Sequence, residues 1–516
     1  MPRLRPLAAG LLALTLAAHP AINPAIAWAE DAKPEKQEPQ KQEKAQAFDA
    51  RRSVTRHTLD LPAGPLAYTA TAEFLPLREA GKDEAAARIF TVTYTLDAAQ
   101  DDAGRARRPV MFLFNGGPGA ASAYLHLGTA GPRMVVFNAD GTMTRPPATL
   151  ADNPDTWLAF ADLVFVDPVG AGYSRATRQE DDAEKRFWKT DADARYLSEI
   201  VRLWLVRHGR WDSPRFLAGE SYGGFRIAKM ARELLRTDGI ALNGLVMVSP
   251  VIDFGTINDG ETALLASAFK LPAMAAAAAA HGRAQGTQAD AAAAAERFAL
   301  TGYLSGLATL DVGRLAASRD LFAEVARITG LDPELVARHR GRVPSRVFAR
   351  ELLRDRGLVV STYDGVFTGP DPDPSAPRLR DDPYLIGTLP AYSGAFTGYA
   401  QRELGVTVET PYRLLSERVN RGWEWPRDGS PSALDDLQTV MTLTPGLRLL
   451  VAHGRTDLVT PYLASHWVAA RLELPEAERG RIALPVYDGG HMMYANAASR
   501  AALARDVRAL VDAALR

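Results

Sequence analysis

The chain has 516 residues, 47% hydrophobic and 23% charged, with a formal net charge of -1 and no cysteine. So even a balance excludes a basic phosphate-binding surface, and with it a nucleic-acid or anionic-membrane partner. Without cysteine there are no disulfides, no thiolate chemistry and no cysteine metal sites, and a chain of this length builds its core without such staples.

At the N-terminus, Arg3 and Arg5 precede an apolar stretch over 7–18 that is too short to cross a membrane, and Ala27-Trp28-Ala29 matches a small-residue cleavage site. Residues 1–29 therefore read as a secretory signal peptide. The mature chain is expected in the periplasm or secreted, with no membrane association after signal removal. Residues 30–52 read as a disordered charged linker, rich in Lys, Glu, Gln and Pro with little apolar surface to bury. Apolar and Thr-rich alternation at 57–77 and 87–96 predicts antiparallel strands. Residues 110–114 and 163–166 are continuous apolar runs, as in strands covered on both faces. A helix over 191–208, a strand at Phe216, a helix from Phe225 and a strand at 245–248 continue the alternation. The prediction is an α/β sheet with helices on both faces.

After Pro250 the pattern changes. Residues 264–298 are alanine-dominated and helical, and helical patterns recur at 310–342 and 347–356. A Pro/Asp-rich loop at 368–377 leads into an aromatic-rich stretch over 384–425. Residues 251–435 thus read as a mainly helical insertion that divides the α/β core into 53–250 and 436–516. Strand patterns return at 447–452 and 482–487, and a helix from Ala497 closes the chain. The aromatics Tyr392, Phe396, Trp423 and Trp425 are expected to be core residues rather than to line the cleft.

The chain is organised around Gly219-Glu220-Ser221-Tyr222-Gly223, placed between a buried strand and a helix. Gly-x-Ser-x-Gly in that context lifts a nucleophilic serine onto a sharp corner at a helix N-terminus. A serine nucleophile needs a base, and the base an orienting acid. Of nine histidines, His453 and His491 closely follow a late strand, and only His491 also lies downstream of Asp457. Ser221, Asp457 and His491 are the expected triad, with Asp488 in reserve as the acid. A tetrahedral intermediate also needs backbone donors. Tyr222 N–H supplies one, and the glycine-rich turn after the 110–114 strand, Asn115-Gly116-Gly117-Pro118-Gly119, supplies the other.

Four motifs in order (Asn115-Gly116-Gly117-Pro118-Gly119-Ala120-Ala121-Ser122, Asp167-Pro168-Val169-Gly170-Ala171-Gly172-Tyr173-Ser174, Gly219 to Gly224, and Gly490-His491-Met492) resemble the serine carboxypeptidases, peptidase family S10. The resemblance implies an α/β-hydrolase fold, a mostly parallel central sheet flanked by helices with a mainly helical cap. It also implies removal of C-terminal residues from peptides through an acyl-enzyme, by an exported, bacterial-type member. By the same resemblance, Gly117 and Tyr222 form the oxyanion hole, Asn115 and Glu220 hold the substrate's terminal carboxylate, and Met492 lines the leaving-residue pocket. Two adjacent carboxylates cannot both ionise, so such a site binds best when one is protonated. The family's second glutamate corresponds to Thr129 here, and Thr129 or His126 is expected to take its place. The family's cysteine after the glycine loop is Ala120.

An esterase or acyltransferase with the same triad is the alternative, since an acyl-enzyme can be captured by water or another nucleophile. A dead hydrolase used as a binding module would lack a triad member, and none is missing. A metal hydrolase is rejected because the chain has no His-Glu-x-x-His and no histidine cluster at ligand spacing. No cofactor or metal is expected, and the expected partners are peptide substrates, with a homodimer left open.

Overall fold

The computed structural model describes residues 52–516, apart from 62–63, 79–80, 82, 98–103, 105–106, 139–140, 179–181 and 261. The expected signal peptide (1–29) and the expected linker up to residue 51 lie outside the described residues.

Three long strands open the fold: β1 (Ser53–Leu61), β2 (Gly64–Arg78) and β3 (Ala85–Leu96). Each pairs antiparallel with the next, Ser53 opposite Ala72 and Thr69 opposite Thr95. The next five are short and nearly all buried: β4 (Val110–Phe114), β5 (Asp162–Val166), β6 (Arg215–Glu220), β7 (Gly244–Val248) and β8 (Arg448–Gly454). Two fragments, β9 (Ile482–Ala483) and β10 (Val486–Tyr487), pair with β8. The sheet runs β1-β2-β3-β5-β4-β6-β7-β8-β9, and every pairing from β5 onward is parallel. This is the architecture of an α/β hydrolase: a mostly parallel sheet whose carboxyl ends carry the loops available for chemistry.

Continuous apolar runs still alternate, because successive side chains point to opposite faces. Val110, Phe112 and Phe114 join a core with Leu197 and Trp204 of α1 (Thr190–Arg207) and Ile227 of α2 (Tyr222–Glu233). Met111 and Leu113 join the opposite core. There they meet Phe396 of α4 (Pro383–Arg402) and Leu503 and Val507 of α6 (Ala497–Ala514). A third core gathers around α3 (Leu264–Ala280) and the helices that follow it, and takes in Leu458, Tyr462 and Leu463 from the chain after β8. Beyond it, α5 (Leu434–Leu443) returns to pack beside α2, where Asp436 receives both Lys229 and Arg232.

Local details depart from the sequence expectations. The stretch read as a loop from Thr368 begins as a strand, Thr368–Pro370, paired antiparallel with Leu358–Val360. The strand expected over 482–487 is cut in two at Leu484-Pro485, because proline offers no N–H to the ladder. The alanine-rich helix ends at Ala280 and a capped helix restarts at Gln288, where Thr287 and Asp290 form a capping box.

One buried ion pair ties the elements beneath the serine corner. Arg226 on α2 holds Asp193 at the start of α1, Nε to Oδ2 at 2.7 Å, with both side chains essentially inaccessible. The same guanidinium donates to the carbonyl of Asn115 in the glycine-rich loop. A buried charge stripped of its partner is costly, by about 3–5 kcal/mol. Arg226→Met should lower unfolding stability in urea by about that amount, and Asp193→Leu added to it should recover more than half of the loss. Additive losses in the double variant would show that the two side chains are not coupled.

Candidate active site

Strand β6 ends at Glu220 and α2 begins at Tyr222, leaving Ser221 alone to make the corner, at φ 60° and ψ -125°. Backbone in that region costs a non-glycine residue about 1–3 kcal/mol and persists only where its surroundings impose it. Here they do. Ser221 N–H donates to Val248 O at 2.9 Å, and its carbonyl accepts from the N–H of Gly224 at 2.9 Å and of Val251 at 3.2 Å. A Cβ on Gly219 would stand 2.1 Å from Gly223 O, and one on Gly223 2.6 Å from Phe114 O. The corner forms only because strand, helix and β4 can close on bare backbone.

The glycine-rich loop lies against this corner. A Cβ on Gly116 would fall 2.5 Å from Tyr222 N. Neither Gly117 N–H nor Tyr222 N–H donates a hydrogen bond among the described residues, so both remain available to an oxyanion. Asp167 braces the loop from below, accepting from Ser122 N–H at 2.9 Å and Ser122 O–H at 2.8 Å.

Asp457 and His491 come together as expected: His491 Nδ1 lies 2.8 Å from Asp457 Oδ2, both side chains buried. Asp457 Oδ1 accepts the N–H groups of Val459 and Thr460 at 2.8 and 2.9 Å, which fixes the carboxylate. The reserve acid Asp488 is displaced from this role: it is exposed and lies 3.4 Å from Arg455. The backbone N–H of His491 donates to Tyr363 O at 2.5 Å, so the insertion anchors the backbone that carries the imidazole. Burial disfavours the charged imidazole, but the charge and hydrogen bond of Asp457, helped by the charges of Glu220 and Asp382, raise its pKa above the ordinary 6.5. Ser221 and His491 line one cavity; no hydrogen bond joins them among the described residues.

Glu220, Asn115 and Met492 line the same cavity. Asn115 Nδ2 donates to Glu220 Oε2 at 3.0 Å, an orientation set by Leu125 N–H donating to Asn115 Oδ1 at 3.1 Å. Tyr494 O–H donates to that same Oε2 at 2.9 Å. Glu220 Oε1 has no hydrogen-bond partner among the described residues. Burial lifts the Glu220 pKa to about 7, although the His491 charge and the Tyr494 and Asn115 hydrogen bonds pull it down; the Asp457 charge adds to the rise. Among the described residues no group of three or more His, Asp or Glu side chains is placed to hold a metal ion.

Residues 91–270 match the family model of the serine carboxypeptidases. That stretch contains the glycine-rich loop, the Asp167 loop and the serine corner, and ends before Asp457 and His491. A serine carboxypeptidase-like protein of Arabidopsis thaliana is 34% identical over 163 residues, 30% of this chain and 33% of that protein. A pheromone-processing carboxypeptidase of Cryptococcus gattii is 31% identical over 186 residues, 35% of this chain and 25% of that protein. The matches thus span about a third or less of these relatives' length. A prohormone-processing carboxypeptidase from Saccharomyces cerevisiae superposes with a TM-score of 0.48 at 17% identity, over 78% of this chain and 77% of that one.

Against the serine carboxypeptidase resemblance, one expectation fails. Neither Thr129 nor His126 reaches Glu220 or lines the cavity. The segment tightens into a wide helical turn, His126–Ala130, which sends His126 into the aromatic core. There His126 stacks on Phe165 at 4.0 Å between ring centroids and meets Tyr94 O–H at 2.6 Å. Thr129 Oγ1 is buried without a partner. Besides Asn115, the side chain that reaches Glu220 is Tyr494, three residues past His491, which sequence reasoning passed over. Tyr363 was equally invisible, since nothing in the sequence ties it to a histidine 128 positions later. Tyr392, Phe396 and Trp423 are buried in the core, as expected, while Trp425 is half-buried against it.

Asp457 and burial pull His491 in opposite directions, which NMR titration of the imidazole can separate. In Asp457→Asn that charge is gone while burial remains and only Glu220 and Asp382 still oppose it, so the His491 pKa should fall. A pKa that does not move would mean that Asp457 does not set it.

Proposed function

We propose that the protein is an exported serine carboxypeptidase that removes C-terminal residues from peptides through an acyl-enzyme. The observation that carries this reading is Glu220, a buried carboxyl whose pKa rises to about 7, in the same cavity as Ser221 and His491. A carboxyl that accepts a proton near neutrality can donate it to a substrate's terminal carboxylate, which an ionised one would repel. The similarity of residues 91–270 to the serine carboxypeptidases supports the same chemistry, and the signal-like residues 1–29 support export.

In this reading Ser221 Oγ attacks the last peptide carbonyl while His491 Nε2 takes its proton. Asp457 accepts from His491 Nδ1–H and stabilises the imidazolium. The N–H groups of Gly117 and Tyr222 receive the developing oxyanion. Collapse of the intermediate releases the C-terminal amino acid, whose nitrogen takes the proton from His491, and leaves Ser221 acylated. Water, deprotonated by the same histidine, then frees the shortened peptide. Asn115 and protonated Glu220 hold the terminal carboxylate, and Met492 contacts the departing side chain. A second reading, an esterase or acyltransferase, rests on position 129, where a threonine leaves Glu220 without a carboxyl partner.

Timed mass spectrometry of one peptide with a free or an amidated C-terminus separates the two. Stepwise loss of single residues from the free peptide only, abolished in Ser221→Ala, is the expected outcome. Intact peptides together with Ser221-dependent cleavage of a simple ester would move the function to the second reading. Asp457→Asn should lower kcat on the order of 10^4-fold through loss of the correct imidazole tautomer; a loss below tenfold would remove Asp457 from the triad.

A further inference from the structure

Glu220 is the carboxyl that meets the terminal carboxylate in the proposed function, and its two oxygens are not equivalent. Asn115 Nδ2 and Tyr494 O–H both donate to Oε2, at 3.0 and 2.9 Å. An oxygen that already accepts two hydrogen bonds has no room for an acid proton, since the proton would point at one of the donors. Asn115 cannot turn to accept instead, because its Oδ1 is occupied by Leu125 N–H. We propose that Tyr494 is a positioning residue that, with Asn115, fills Oε2 and so confines the acid proton of Glu220 to Oε1, the oxygen available to a substrate carboxylate.

The surroundings of Tyr494 fit that task. Its ring is fully buried, and the helical turn beneath it carries Gly128, where a Cβ would stand 2.4 Å from Tyr494 Cε2. The ring's position therefore depends on a missing side chain. Tyr494 keeps the proton that it donates, because burial holds its phenol pKa well above the usual value. The other titratable groups whose charge acts on Glu220, or is acted on by it, are His491, Asp457, Tyr124, Tyr384 and Tyr392. The three tyrosines are held in the neutral phenol form by burial. Only His491 and Asp457 therefore bring charge to Glu220 from this set.

A donor to Oε2 stabilises the ionised carboxylate, so its removal must raise the pKa of Glu220 and extend carboxylate binding to higher pH. The inference rests on the carboxypeptidase reading only for what Glu220 meets. The test therefore has two parts. In the full-length Ser221→Ala protein, the Glu220 carboxyl is titrated by infrared difference spectroscopy, its band assigned with Glu220→Gln. Adding Tyr494→Phe, which keeps the ring, should move the midpoint up by roughly half to one pH unit. Gly128→Ala, which crowds the ring from beneath, should move it in the same direction. A midpoint that stays or falls in both variants overturns the proposal. In the active enzyme, the pH at which KM for the free-acid peptide rises, measured against KM for the amidated peptide, should shift upward in Tyr494→Phe by the same amount. If the spectroscopic midpoint shifts but free and amidated peptides share one KM at every pH, the proton placement stands and the carboxypeptidase reading fails.

Discussion

A serine held at φ 60° between a strand and a helix is the constraint on which the rest of the structure depends. With one residue available to turn the chain, its two neighbours are committed. Glu220 is the last residue of the strand and turns into the cavity; Tyr222 is the first of the helix and leaves its N–H unused. The glycine-rich loop can approach that N–H only because residue 116 lacks a Cβ, and Arg226 and Asp167 hold the loop there from two sides. The residues proposed as nucleophile, oxyanion donor and carboxyl are consecutive, and their directions follow from one backbone turn.

The charges around the corner are coupled. Ionised Glu220 raises the pKa of His491, and His491 in its charged form lowers that of Glu220. In the proposed reaction a peptide brings its own negative charge to Oε1 while Glu220 takes up a proton, so the net charge facing His491 hardly changes on binding. The imidazole keeps its character as a base in the complex, and the carboxyl supplies recognition without a second fixed charge. A pair of glutamates would share one proton between them and keep an additional negative charge near the histidine. A tyrosine beside a single glutamate supplies the hydrogen bond without that charge.

Local sequence carried much of this. The apolar runs, the Gly-x-Ser-x-Gly corner and the order of Asp457 and His491 depend on contacts between neighbours or on strand ends, and each has a short-range signature. The positions of Tyr494 and Tyr363 do not. Tyr494 reaches across 274 residues to Glu220, and its room is made by a glycine in yet another segment. Thr129 stands where the resemblance expects a glutamate, but nothing near it in sequence says which other segment approaches Glu220. The wide turn at His126–Ala130 buries those side chains in the core, and the hydroxyl that meets Glu220 belongs to Tyr494 instead.

The insertion is a structural part of the site rather than a cover laid over it. Asn420 donates to Pro118 O at 3.2 Å, and Ser416 N–H to Gly119 O at 2.9 Å, so the glycine-rich loop is built on both sides, by core and insertion. Asp382 caps α4 while its carboxylate also accepts from Ser361 and Thr362, the two residues before Tyr363, whose carbonyl receives His491 N–H. Tyr363 in turn sets its ring edge-on to the imidazole at 5.2 Å. His491 is therefore held by a chain of contacts that begins at a helix cap in the insertion. Closure of the cavity by movement of this region as a rigid lid would break the contact that aims His491. In the proposed reaction a peptide would meet Leu415 and Glu417, which line the cavity from the insertion.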